Sequence, residues 1–123
     1  MRRARQLNPM SSHILKKPTN YSFEKVGIKG KVFPVVDIAK KTGVCVIETK
    51  KGHESTIIEH ACDFIYYILE GKGYFEINGE KENFVKEDLV VIPAGSTFTY
   101  KGNCKMLLIT TPAFYPEQEE TLQ

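Results

Sequence analysis

From Tyr21 onward the chain alternates short apolar or alternating runs with polar, glycine-bearing or proline-bearing turns. The runs are Lys31–Ile38, Gly43–Thr49, Thr56–His60, Phe64–Leu69, Tyr74–Ile77, Glu80–Phe84, Asp88–Ile92, Thr97–Tyr100 and Met106–Thr111. Val, Ile, Tyr, Phe and Thr dominate them, and branched or flat side chains of that kind fit a pleated surface. No long stretch keeps an apolar period near 3.6 residues, so no long helix is expected. Evenly spaced short strands predict an all-β sandwich or barrel.

Three turns punctuate the pattern. Glu70-Gly71-Lys72-Gly73 separates two strong runs and is expected to be a hairpin turn, Asn78-Gly79 carries the type I′ signature, and Pro93-Ala94-Gly95 fits a tight turn after Leu89–Ile92. Residues 1–20 are polar, hold Pro9 and Pro18 and keep no period. The expected organisation is therefore an N-terminal arm over 1–20, one barrel domain over 21–113 and a C-terminal tail over 114–123 that frays. Met10 is an alternative start to Met1.

Composition narrows the function classes. The chain has 123 residues, enough for one domain, with 41% hydrophobic residues and a formal charge of +2 from 17 basic and 15 acidic side chains. That balance predicts no nucleic-acid partner, which would call for a concentrated basic face; the one basic run, Arg2-Arg3-Ala4-Arg5, reads as a solvated arm. No apolar run is long enough to cross a bilayer and no apolar signal segment opens the chain, so no membrane partner is expected. Cys45, Cys62 and Cys104 are odd in number and unpaired in spacing, as in a reduced, cytoplasmic protein.

The stretch from Gly52 to Gly102 resembles the cupin superfamily. The first cupin motif, G-x5-H-x-H-x3/4-E-x6-G, is matched in spacing by Gly52, Ile58-Glu59-His60, Phe64 and Gly71. The second, G-x5-P-x-G-x2-H-x3-N, is matched by Glu87, Pro93, Gly95, Phe98 and Gly102. The resemblance implies a double-stranded β-helix, or jelly roll, commonly a homodimer. It also assigns the family's metal-ligand positions to Ile58, His60, Phe64 and Phe98. Only His60 among these has a lone pair for a cation, so no metal cofactor is expected there. Any metal would need a rebuilt site joining His60 to His53 or Glu54.

Residues two apart on a strand share a face. If the ligand positions face the interior, Ile58 and His60 do, as do Phe64 with Tyr66 and Phe98 with Tyr100. The expected binding residues are thus Ile58, His60, Phe64, Tyr66, Phe98 and Tyr100, an aromatic cup around one imidazole. His60, Tyr66 and Tyr100 are the candidate acid–base groups, since an imidazole titrates near neutrality and a phenol donates a proton. Three functions fit. The first is a module that binds a small organic ligand, sugar-like or an aromatic acid. The second is a metal-independent sugar isomerase or epimerase using His60 and a tyrosine. The third is a metal-dependent dioxygenase or isomerase with a rebuilt site. Val32, Phe33, Val35 and Val36 fit a sheet shared between two copies.

Overall fold

The computed structural model describes residues 12–114 and 119–121. Among them are nine strands: β1 (Phe23–Lys25), β2 (Ile28–Phe33), β3 (Gly43–Thr49), β4 (Ile57–Glu59), β5 (Asp63–Ile77), β6 (Glu80–Phe84), β7 (Leu89–Ile92), β8 (Thr97–Thr111) and β9 (Glu119–Thr121). All pair antiparallel. Two strands of 15 residues, β5 and β8, run side by side through the whole molecule. Their Asp63–Ile68 and Met106–Thr111 halves sit in a sheet with β1, β2, β3 and β7. Their other halves sit in a second sheet with β6, β4 and β9. This is a barrel, as the strand spacing allowed, of the jelly-roll kind that the cupin resemblance implied.

The Glu70–Gly73 segment is not a hairpin turn. It lies inside β5, where the strand bends from one sheet into the other. Gly73 pairs with Gly102 of β8. A Cβ on Gly73 would collide with the Lys101 carbonyl oxygen, and one on Gly102 with the Lys72 carbonyl oxygen. The glycines therefore allow two paired backbones to approach closely, a use that looks the same as a turn in the sequence. The register also slips at this point, leaving Leu69 as an extra residue between the Ile68 and Glu70 pairings. The bulge inverts the alternation, because one added residue exchanges the two faces. Phe64, Tyr66 and Ile68 point inward before it, and Phe75 after it.

Other expectations meet the structure in different ways. Asn78 and Gly79 both take positive φ, at 51° and 85°, as a type I′ hairpin requires. Ser96 N–H donates to the Pro93 carbonyl at 3.2 Å with Gly95 at φ 88°, a type II turn. The expected strand over Lys31–Ile38 stops at Phe33, because Pro34 has no N–H for a ladder, and Val35–Asp37 form a 3-10 turn. In the expected tail, Glu119–Thr121 pairs with β4. Phe114 is described as well and packs against Phe64; residues 115–118 and 122–123 of the tail, the basic run and both candidate start residues lie outside the described residues. No helix among the described residues is long and apolar enough to cross a membrane.

Candidate functional site

The inner face of β4 decides the site. Strand β4 pairs with β8 through Ile57 opposite Phe98 and Ile58 opposite Thr97. Phe98 is buried, so Ile57 faces inward with it, and Glu59 follows two residues on. Ile58 is only partly buried and His60 is exposed. The expected inward pair, Ile58 and His60, is thus corrected to Ile57 and Glu59. The cupin motif allows three or four residues before its glutamate position, and a one-residue choice exchanges the faces of a strand. The structure takes the four-residue spacing.

This register also settles how the metal positions are filled. Inside the barrel they hold Ile57, Glu59, Phe64 and Phe98. Only Glu59 can donate to a cation; its Oε1 accepts the N–H groups of Ala61 and Cys62, each at 2.6 Å, while its Oε2 is buried without a hydrogen-bond partner among the described residues. The rebuilt alternative fails on geometry, since His53 is buried while Glu54 and His60 are exposed. Among the described residues no three His, Cys, Asp or Glu side chains converge to hold a metal ion.

What the barrel does hold is a cavity of about 640 Å³, partly open to solvent. Of the six binding residues expected from sequence, Phe64, Tyr66 and Tyr100 line it. Phe98 packs behind them, its ring 5.5 Å from Phe64 and 6.3 Å from Tyr66. The histidine in the wall is His53, which the sequence reading weighed only as a displaced metal ligand.

His53 reaches the interior because of Gly52. Gly52 bridges to Lys101 at φ 110°, and a Cβ there would run into the Tyr100 carbonyl oxygen. The loop can therefore press against β8, and the His53 N–H donates to that same carbonyl at 2.9 Å. The ring ends up edge-on to Tyr100, with centroids 5.6 Å apart, and Tyr66 stands 5.6 Å from Tyr100 on the other side. Nδ1 lies 2.7 Å from the Ser55 carbonyl oxygen and 3.1 Å from the Ser55 N–H; the tautomer that donates to the carbonyl leaves the lone pair on Nε2, and the other accepts from the N–H. The His53 carbonyl is held in turn by Lys101 Nζ at 2.6 Å and Thr99 Oγ1 at 3.3 Å.

Burial lowers the pKa of His53. The Lys101 and Lys25 cations act in the same direction, while the Ser55 carbonyl and Glu54 oppose them. The imidazole is therefore neutral at physiological pH, the state a general base needs. Burial pushes the thiols the other way. Cys45, in the cavity wall, rises to about 12, and Cys62 to about 11 by burial and the neighbouring Glu59 carboxylate. Both stay protonated and unreactive.

No protein-family model and no curated protein matches the sequence. Solved structures do match the fold. Streptomyces Pac13, described as a unique nucleoside dehydratase, aligns over 92% of both chains at 24% identity with a TM-score of 0.83. KdgF from Halomonas aligns over 77% of this chain and 87% of its own, at 18% identity and 0.66. The cupin domain of Schizosaccharomyces pombe Cnp3 covers 76% and 68%, at 16% and 0.62. With its two-sheet barrel and these matches over most of its length, the chain has a cupin-like fold.

Proposed function

We propose that this chain binds a nucleoside-like small molecule in the barrel cavity and uses His53, with Tyr66 and Tyr100, to remove water from it. One observation carries the reading: a neutral imidazole and two phenols converge on a largely apolar cavity. The Pac13 structures holding uridine carry, singly, a histidine-to-glutamine change or one of two tyrosine-to-phenylalanine changes, at positions 13 and 34 residues apart in succession. His53, Tyr66 and Tyr100 have the same types and the same separations, 13 and 34.

The geometry suits an elimination. His53 Nε2 takes a proton from a carbon acidified by a neighbouring electron-withdrawing group. The C–H electron pair becomes the new double bond, and the adjacent C–O bond breaks. The departing hydroxyl takes the phenolic proton of Tyr66 or Tyr100 and leaves as water. The proton on His53 returns to the tyrosinate, so both groups are restored. The apolar walls keep bulk water from the site.

The test combines binding and turnover. Uridine at a hundredfold excess over its Kd is expected to stabilise the protein by about 2.7 kcal/mol, visible as a thermal shift of several degrees. A panel of nucleosides is then followed by mass spectrometry for loss of one water. His53→Gln should keep ligand binding and lose roughly 10²–10⁴ in turnover. Binding without turnover in the wild type would leave a binding module. No response to any nucleoside would sink the reading.

A homodimer belongs to the same proposal. On the outer face of β5, β7 and β8, Ile65, Tyr67, Leu89, Val91, Leu107 and Ile109 stand in register. Leu89 and Val91 are 60% and 58% exposed. A continuous apolar sheet face of this kind supports self-association. Replacing both Leu89 and Val91 with lysine should give a monomer in sedimentation.

A further inference from the structure

His53 stands on the loop between β3 and β4, outside any strand that would orient its side chain. Three successive residues of β8 hold it instead. The Tyr100 carbonyl accepts the His53 N–H at 2.9 Å, and the His53 carbonyl accepts Thr99 Oγ1 at 3.3 Å and Lys101 Nζ at 2.6 Å. One strand thus grips the His53 backbone by its donor and by its acceptor. The lysine is the costly member of this set. The carbonyl already meets a hydroxyl, and ordering a lysine side chain sacrifices rotamer freedom. What the ammonium adds is charge, and a charge-assisted hydrogen bond is stronger than a neutral one.

Lys101 acts from outside the cavity. Residues alternate faces along a strand, so Tyr100 turns its ring to the interior and Lys101 leaves on the other face. Lys101 is half-buried and lines an outer groove with Lys25, Gly52 and Glu54, and it is not among the residues around the cavity. A ligand in the cavity meets the imidazole, not the ammonium, so any effect of Lys101 on the chemistry passes through His53.

Resting on the dehydration reading above, we infer that Lys101 is a positioning residue: its ammonium pins the His53 backbone to β8 and so sets where the imidazole stands against the bound molecule. Proton transfer depends on that placement, since an error of about 1 Å can cost roughly 10²-fold in rate. The charge has a second effect. After burial and against the Ser55 carbonyl, the Lys101 and Lys25 cations disfavour an imidazolium, while the Glu54 carboxylate favours it. Tyr100 of β8 stands edge-on to the ring, with Tyr66 of β5 beyond it.

The experiment pairs steady-state dehydration kinetics with an NMR titration of the His53 ring in the unliganded protein, its signals assigned by their loss in His53→Gln. The wild type is compared with Lys101→Met and Lys101→Arg. Lys101→Met should lower kcat roughly tenfold to a hundredfold and leave KM within about twofold, because it removes no contact to the ligand. The same variant should raise the pH midpoint of His53. Lys101→Arg keeps a charged donor and should restore both readings. Lys101→Gln takes the place of the methionine variant if that one does not fold. Wild-type kcat and midpoint in Lys101→Met would overturn the inference, as would a loss that appears in KM or that arginine does not restore. If the wild type dehydrates no nucleoside, the proposed function falls by itself. The midpoint then still decides on Lys101: a rise in Lys101→Met that arginine reverses supports its hold on His53, and an unmoved midpoint overturns it.

Discussion

The two ends of the barrel interior are built from similar residues and end up with opposite properties. Toward β6 the interior is solid. Phe75 sits 5.5 Å from Phe84, 5.0 Å from Tyr100 and 5.0 Å from Tyr66, with Ile68 and Met106 completely buried. Toward β3 the same strands bound an open cavity. The facing residues there include Gly43 and Cys45, too small to meet the rings opposite, and the wall carries His53 and Thr110. Aromatic content alone therefore does not tell a plug from a binding site. The size of the residues across the gap decides, and so does whether polar groups are brought to it.

The comparison can be broken at either end. The largest effect on stability is expected from Phe75→Ala in the solid end, a loss of about 3–5 kcal/mol in denaturant unfolding. Phe64→Ala at the cavity wall should cost less, roughly 2–3 kcal/mol, because the ring already borders empty space. If the two costs are equal, the ends do not differ in packing.

A pH series sharpens the contrast. The folded-state pKa of His53 lies below its unfolded value. The unfolded chain therefore binds more protons in the window below about pH 6.5, the ordinary histidine pKa. The stability that neutral His53 contributes is complete above that pH and is lost as pH falls toward the folded pKa. His53→Gln should flatten this part of the profile in denaturant titrations run from pH 7 to pH 5. An unchanged slope would mean that another group sets it. The smallest effect belongs to His60→Ala, expected within about 0.5 kcal/mol in stability and without change in turnover, because His60 stands on the outer surface. Loss of activity in that variant would return the catalytic role to His60 and undo the register argument.

Much of the architecture was legible from local chemistry. Strand β3 was read to the residue, and Asn78-Gly79 and Pro93-Ala94-Gly95 behave as their φ preferences require. The inward faces of Phe64 with Tyr66 and of Phe98 with Tyr100 followed from alternation once the cupin resemblance set Phe64 and Phe98 inside. The errors arose where one pattern admits two structures. Gly71 and Gly73 serve a turn or a close approach of paired strands equally well. The spacing between β4 and Phe64 permits either face of β4 to point inward, and the other choice made His60 the interior histidine.

Composition, alternation and turn residues by themselves determined an all-β sandwich or barrel, because these depend on each residue and its near neighbours in the chain; its aromatic interior followed only with the cupin resemblance. Which histidine enters the barrel was decided only in three dimensions. His53 lies in a loop with no period to orient it, and it points inward because Gly52 lets that loop pack against the Tyr100 backbone on a strand almost fifty residues away. The close fit of the Thr110 hydroxyl is likewise a property of the β3–β8 pairing, which sets a residue without a side chain opposite it.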